Sequence, residues 1–193
     1  MLQFDNDLFL RLNAGPTPDA TIVALAIFAT HFLILLIPFF LGGLWVFGGQ
    51  RNRLTSIALC VALGVAIMMS STVGLLIVRP RPFMVGLGHA LVEHRANSSF
   101  PSNHGLAFAV CAAVLFMVRR RQAAWIACAA GLIVAWSRIY VGVHYPLDMV
   151  GSVVVAIPAA MASLRIMDRH GAQVLKLAER VESLILGRFN NKA

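Results

Sequence analysis

Long apolar runs broken by short polar signatures organise this chain. Five of the runs are read as membrane crossings, residues 21–47, 55–78, 104–118, 123–140 and 147–166, because about 20 apolar residues suffice to span a bilayer. The first contains Pro38, which predicts a kink or tilt. The third has only 15 residues and opens on a polar signature, so its outer end is expected to stop short of the bilayer surface. Ahead of the runs, Phe4, Leu8, Phe9 and Leu12 recur at helical spacing, which predicts an amphipathic helix over 3–13 lying at the interface. Behind them, residues 173–186 are amphipathic and basic and are expected to lie on the opposite face. The pattern predicts an all-α, polytopic membrane helix bundle with about five transmembrane helices plus the N-terminal amphipathic helix. It forms a single domain over 1–193, with an interfacial segment at 1–20 and a basic cytoplasmic tail at 168–193.

Composition supports this picture. Hydrophobic residues make up 59% of the 193 positions, against about half in soluble domains. The net charge of +8 therefore reflects basic membrane loops rather than a nucleic-acid surface. Cys60, Cys111 and Cys128 all lie inside apolar runs without metal-ligand spacing, so they are expected to be buried free thiols. Asp5 and Asp7 stand where a signal peptide would carry basic residues.

Charge then orients the chain. With five crossings, one side receives Arg51, Arg53, Arg119, Arg120, Arg121, Arg165, Arg169, Lys176, Arg180, Arg188 and Lys192, eleven of the 16 Lys and Arg. The other receives Arg11, Arg79, Arg81, Arg95 and Arg138. The positive-inside rule places the eleven in the cytoplasm and the polar signatures outside. Trp125 and Trp136, near the two ends of one run, fit aromatic belts.

The signatures hold the candidate chemistry. Arg81-Pro82 comes first, then Pro101-Ser102-Asn103-His104, then Ser137-Arg138 followed by His144 and Asp148. His144 and Asp148 are four apart, on one helical face. A carboxylate on one imidazole nitrogen fixes the tautomer and leaves the other nitrogen free to attack. An ordinary ion pair at a helix start has the same spacing. Ser102 suits a helix N-cap, which puts His104 among free backbone N–H groups that favour anions and within reach of a leaving oxygen. By itself the tetrapeptide also reads as a simple capped helix start. Arg81 and Arg138, accompanying histidines, point to phosphate oxygens. Arg79 and Arg95 fit either phosphate or lipid head groups.

Together these residues resemble the type-2 phosphatidic acid phosphatase superfamily, integral-membrane lipid phosphatases related to vanadium haloperoxidases. The Ser137-Arg138, His144 and Asp148 set matches its third signature. Asn103 replaces the usual glycine of the second, and Gly74 stands where the first opens with a lysine, leaving Arg79 or Arg95 as substitutes. The flanks, Asn6-Asp7-Leu8-Phe9 with Leu12-Asn13, Arg81-Pro82-Phe83, and the run from Ala135 through Tyr145-Pro146 to Asp148, resemble the bacterial undecaprenyl-diphosphatase branch. That resemblance implies hydrolysis of undecaprenyl diphosphate to the monophosphate on the outer side of the plasma membrane. It implies recycling of the carrier lipid for envelope synthesis, and bacitracin resistance. The implied catalytic residues are His144 as nucleophile, His104 as acid and base, and Asp148 holding the nucleophile. Arg81, Arg138, Ser102 and Asn103 would bind the phosphoryl oxygens, joined by Arg79 and Arg95. Neither metal nor cofactor is implied. The partners are the polyprenyl diphosphate lipid and the bilayer. The same residues also fit a phosphatase or phosphotransferase for phosphatidylglycerophosphate, phosphatidate or lipid A. A non-enzymatic lipid or anion transporter is the rival from another class.

Overall fold

The computed structural model describes residues 3–190, with side chains described for 3–185. The order along the chain is α1 (Gln3–Leu12), α2 (Ala20–Phe32), a single 3-10 turn (Leu33–Leu35), α3 (Leu36–Val46), α4 (Gln50–Leu76), a second such turn (Pro82–Val85), α5 (Asn103–Met117), α6 (Arg121–Tyr140) and α7 (Pro146–Asn190). Four segments are long and apolar enough to cross a membrane: Ala20–Val46, Gln50–Leu76, Arg121–Tyr140 and Pro146–Ile185. The shorter apolar α5 makes the fifth run. The predicted all-helical membrane bundle is what forms. Phe39, Phe47, Leu75, Val78, Ile126 and Leu132 lie exposed on its flanks, as side chains that face lipid do.

Physical causes are visible at several helix boundaries. Asp19 caps α2, its Oδ1 accepting from Thr21 N and Ile22 N at 2.8 and 3.1 Å. The expected distortion near Pro38 is the turn at Leu33–Leu35, which lets α3 restart with Pro38 in its first turn. α5 is the central helix and packs on α4, α6 and α7. Lipid is as apolar as leucine, so close backbone approach replaces hydrophobic collapse as the source of packing. Small buried residues supply it: Ala62 and Ala66 on α4, Ala112 on α5, Ala159 and Ala160 on α7. Buried hydroxyls add cross-helix bonds, Ser163 Oγ to the Ala58 carbonyl at 2.7 Å and Thr30 Oγ to Ser137 Oγ at 3.1 Å.

Two sequence expectations are corrected. The N-terminal helix does not merely rest at the interface, because Asp5 and Phe9 are fully buried against the bundle. The cysteines, expected to be buried, are so only at Cys111, since Cys60 lies exposed and Cys128 half-buried on the helix flanks. α7 runs without a break from Pro146 to Asn190, roughly 65 Å at 1.5 Å per residue. No proline follows Ile166, and the basic extension is tied back by Arg53 to Glu179 and Glu182 at 3.3 and 3.1 Å. Lys192 lies outside the described residues, as does the side chain of Arg188.

Candidate active site

α5 explains why a polar site sits inside the bundle. Its 15 residues rise only about 22 Å, less than the roughly 30 Å hydrocarbon thickness. Its capped N-terminus therefore lies below the bundle's end, with the 77–102 loop and the 141–145 turn folded above it. Gly142 makes that turn possible. Its φ is +83°, and an added Cβ would sit 2.3 Å from the His89 carbonyl oxygen. The Leu91 N–H donates to the Val141 carbonyl at 3.0 Å and pins the loop to the turn.

His144 emerges from this turn and is 2% exposed. Its Nδ1 lies 3.2 Å from Asp148 Oδ2 and its Nε2 lies 3.1 Å from Arg81 Nη1. A carboxylate only accepts and a guanidinium only donates, so Nδ1 carries the hydrogen and Nε2 presents its lone pair. Burial, reinforced by the Arg81 charge and opposed by the Asp148 bond, pushes the His144 pKa down to about 4. The ring is neutral at physiological pH, as a nucleophile requires. Asp148 is fully buried and held from several sides. Ser99 Oγ and Tyr145 N donate to its Oδ2 at 2.7 and 2.8 Å, and Arg79 Nη1 donates to its Oδ1 at 2.9 Å.

Beside His144 lies a cavity of about 380 Å³ walled by Arg81, Arg138, His94, His104, Asn103 and Ser70, among others. Arg81 spends its donors on protein: Asn97 Oδ1, the carbonyls of Val143 and Ser98, and His144 Nε2. Burial lowers its pKa to about 10, so it stays charged. Arg138 is different. It is 4% exposed, its Nε has no hydrogen-bond partner, and no carboxylate pairs with it among the described residues. A buried, unpaired guanidinium costs several kcal/mol, so a cavity built around one is built for an anion.

The structure thus brings Arg81, Asn103, His104, Arg138 and His144 to one cavity, with Asp148 behind the His144 ring. Three expectations change. Ser102 is fully buried and its Oγ accepts from Gly105 N at 3.4 Å, so it caps α5 and does not line the cavity. Arg79 lies on the far side of Asp148, with Nη1 on Asp148, Nη2 on Asp5 and its guanidinium stacked 3.9 Å over the Tyr145 ring, and it does not line the cavity. Arg95 is exposed and off the cavity wall; its carbonyl lies 3.2 Å from His94 Nδ1. Neither arginine takes the place of the absent lysine, and Gly74 itself lines the cavity.

Sequence reasoning missed His94, Ser99 and Asp5. His94 stands edge-on to His144, ring centroids 6.2 Å apart, and burial lowers its pKa. No spacing marks it. Asp5 left a faint signal, a carboxylate four residues before Phe9 on the face of α1 that packs inward. It accepts from Leu147 N at 3.0 Å and pairs with Arg79, so α1 braces the Asp148 carboxylate. Asp5→Asn is expected to lower kcat roughly tenfold, as for loss of a charged hydrogen bond, with KM unchanged. A lower Tm with normal kcat would make Asp5 purely structural.

A multi-pass helical bundle with a sunken cavity that pairs a carboxylate-held histidine with an unpaired arginine defines a membrane-embedded enzyme for anionic esters or anhydrides. The profile of the PAP2 superfamily matches residues 53–172. The Escherichia coli protein YbjG is 32% identical over 91% of this chain and 87% of its own length. The undecaprenyl-diphosphatase BcrC of Bacillus subtilis is 31% identical over 96% of this chain and 95% of its own. The crystal structure of Aquifex aeolicus LpxE superposes with a TM-score of 0.69 at 24% identity, over 85% of this chain and 96% of that one, a likeness of fold. The chain belongs to the PAP2 superfamily. It is a membrane lipid phosphatase, in agreement with the signatures read from its sequence.

Proposed function

We propose that this enzyme hydrolyses undecaprenyl diphosphate, or a closely similar polyprenyl diphosphate, to the monophosphate and inorganic phosphate. The observation that carries the reading is Arg138, buried, charged and unpaired on the wall shared by His144 and His104. The relative BcrC is named for the same reaction. In the first step the terminal phosphate draws Arg81 away from His144 Nε2 and places its oxygens between Arg81 and Arg138. Nε2 attacks phosphorus, the bridging P–O bond breaks, and His104 gives a proton to the leaving polyprenyl phosphate. In the second step water attacks the phosphohistidine, His104 takes its proton, and the P–N bond breaks to release phosphate. The two arginines meet the charge of the transition state in a water-poor setting, where preorganised donors act most strongly.

The test is phosphate release by the purified protein in detergent from a panel of lipids. Undecaprenyl diphosphate is expected to be turned over fastest, with activity intact in EDTA. Preference for phosphatidylglycerophosphate, phosphatidate or lipid A would reassign the substrate, and no phosphate release from any lipid would favour a transporter.

We further propose that the cavity opens to the outer face of a bacterial plasma membrane, because Arg51, Arg53, Arg119, Arg120 and Arg121 gather at the opposite end of the bundle. A cysteine at exposed Ala96, on the loop over the cavity, should react with a membrane-impermeant thiol reagent in intact spheroplasts. Reaction only after lysis would reverse the orientation.

A further inference from the structure

The end of the bundle remote from His144 holds a second pair of cavities, adjacent to each other and sharing the walls Phe40 and Ala123. The turn at Leu33–Leu35 sets α3 against α4 and leaves a groove of about 430 Å³ between α3 and the α5–α6 pair. Its wall is apolar throughout, including Leu36, Phe39, Phe40, Phe108, Cys111 and Ala127. Phe40 and Ala123 also belong to the neighbouring cavity of about 450 Å³, whose other walls are Arg119, Arg120, Arg121 and Gln122.

These arginines are unlike the basic residue beside them. Arg53 is paired with Glu179 and Glu182. No carboxylate lies within ion-pair distance of Arg119, Arg120 or Arg121 among the described residues, and Arg120 donates only to Asn52 Oδ1. Arg119 also sits at φ +61° where α5 ends, a left-handed position that favours glycine. The α5–α6 turn thus holds a cationic side chain where glycine, without a Cβ, is easiest to place. The positive-inside rule accounts for arginines at this end, but not for a basic cavity that adjoins an apolar groove across shared walls.

We infer that this composite cavity binds one anionic glycerophospholipid of the adjacent leaflet, its phosphate between Arg119 and Arg121 and one acyl chain along the α3–α6 groove. Guanidinium groups pair bidentately with phosphate oxygens, and the segment from Ala123 to Ala130, both on the groove wall, rises about 10 Å, room for part of an acyl chain. An adventitious apolar occupant has no use for the arginines, and a free anion has none for the groove.

Native mass spectrometry of the purified protein with phosphatidylglycerol and phosphatidylcholine of identical chains tests this. Phosphatidylglycerol is expected to bind at least about tenfold more tightly, a difference of roughly 1.4 kcal/mol. Arg119→Gln with Arg121→Gln should abolish that preference, while Arg165→Gln with Arg169→Gln, the same loss of charge at the same end, should keep it. Filling the groove by Ala127→Phe, or by Ala130→Leu should the first fail to fold, is expected to weaken binding with the arginines intact. Unchanged phosphatase activity verifies the fold of each variant. Equal binding of the two lipids, loss of preference in the Arg165/Arg169 variant, no effect of filling the groove, or displacement of the lipid by inorganic phosphate would each overturn the proposal.

Discussion

Replacing Arg138 by methionine is expected to reduce kcat/KM by about 10³-fold, as for a preorganised donor at a developing oxyanion, while Tm stays level or rises. The two effects share one cause. Arg138 is buried with no counter-charge and an unsatisfied Nε, so the empty enzyme holds it at a desolvation cost that only the substrate's phosphate offsets. A methionine of similar length removes the charge and keeps much of the packing. Exchanging buried ionic groups for apolar ones is often neutral or stabilising by about 1–4 kcal/mol. A site residue that stabilises the fold when removed is a site that trades stability for binding. The variant's melting curve and phosphate-release kinetics check both halves. A clear fall in Tm would mean that Arg138 has a structural partner and that the anion-site reading is mistaken.

His144→Ala is expected to cost roughly 10⁴- to 10⁶-fold in kcat, the scale for deleting a nucleophile, without loss of membrane insertion. Asp148→Asn should cost less, because Ser99 and Tyr145 N still hold the side chain while the ring loses its anionic partner. The pH profile carries the same information. The His144 pKa of about 4 lies below the ordinary 6.5, so kcat/KM should show no His144-dependent fall until pH drops toward 4. Stability moves in the same direction. Below pH 6.5 the unfolded chain takes up a proton that the folded chain refuses, so the native state weakens as pH falls from 6.5 to about 4. An acid limb near 6.5 that disappears in His144→Ala would show the ring to be solvated rather than buried.

Most of the bundle, and the gathering of Arg81, His104, Arg138 and His144 at one cavity, are legible in the sequence, because apolar run lengths and short signatures are local features. Apolar run lengths mark the crossings, and the boundaries of α5 and α6 follow from Ser102 as N-cap and from the arginines that end the runs. The spacing of His144 and Asp148 places them on one turn. What escapes is decided by contacts distant in sequence. Nothing near Arg79 says that Asp5, 74 positions away, will share it with Asp148. A phosphate-binding arginine and a bracing arginine look alike until their partners are known. Ser102 shows the same ambiguity within four residues, since a serine that caps a helix and one that faces a cavity look alike until burial decides between them.

Rapid-quench capture of the phosphoenzyme tests the central claim most directly. The protein is mixed with undecaprenyl diphosphate carrying labelled terminal phosphate and stopped within one turnover. Label is expected on the peptide containing His144, stable to alkali and lost in acid, and absent from His144→Ala. Full turnover with no label on His144, or label on another residue, would contradict the account.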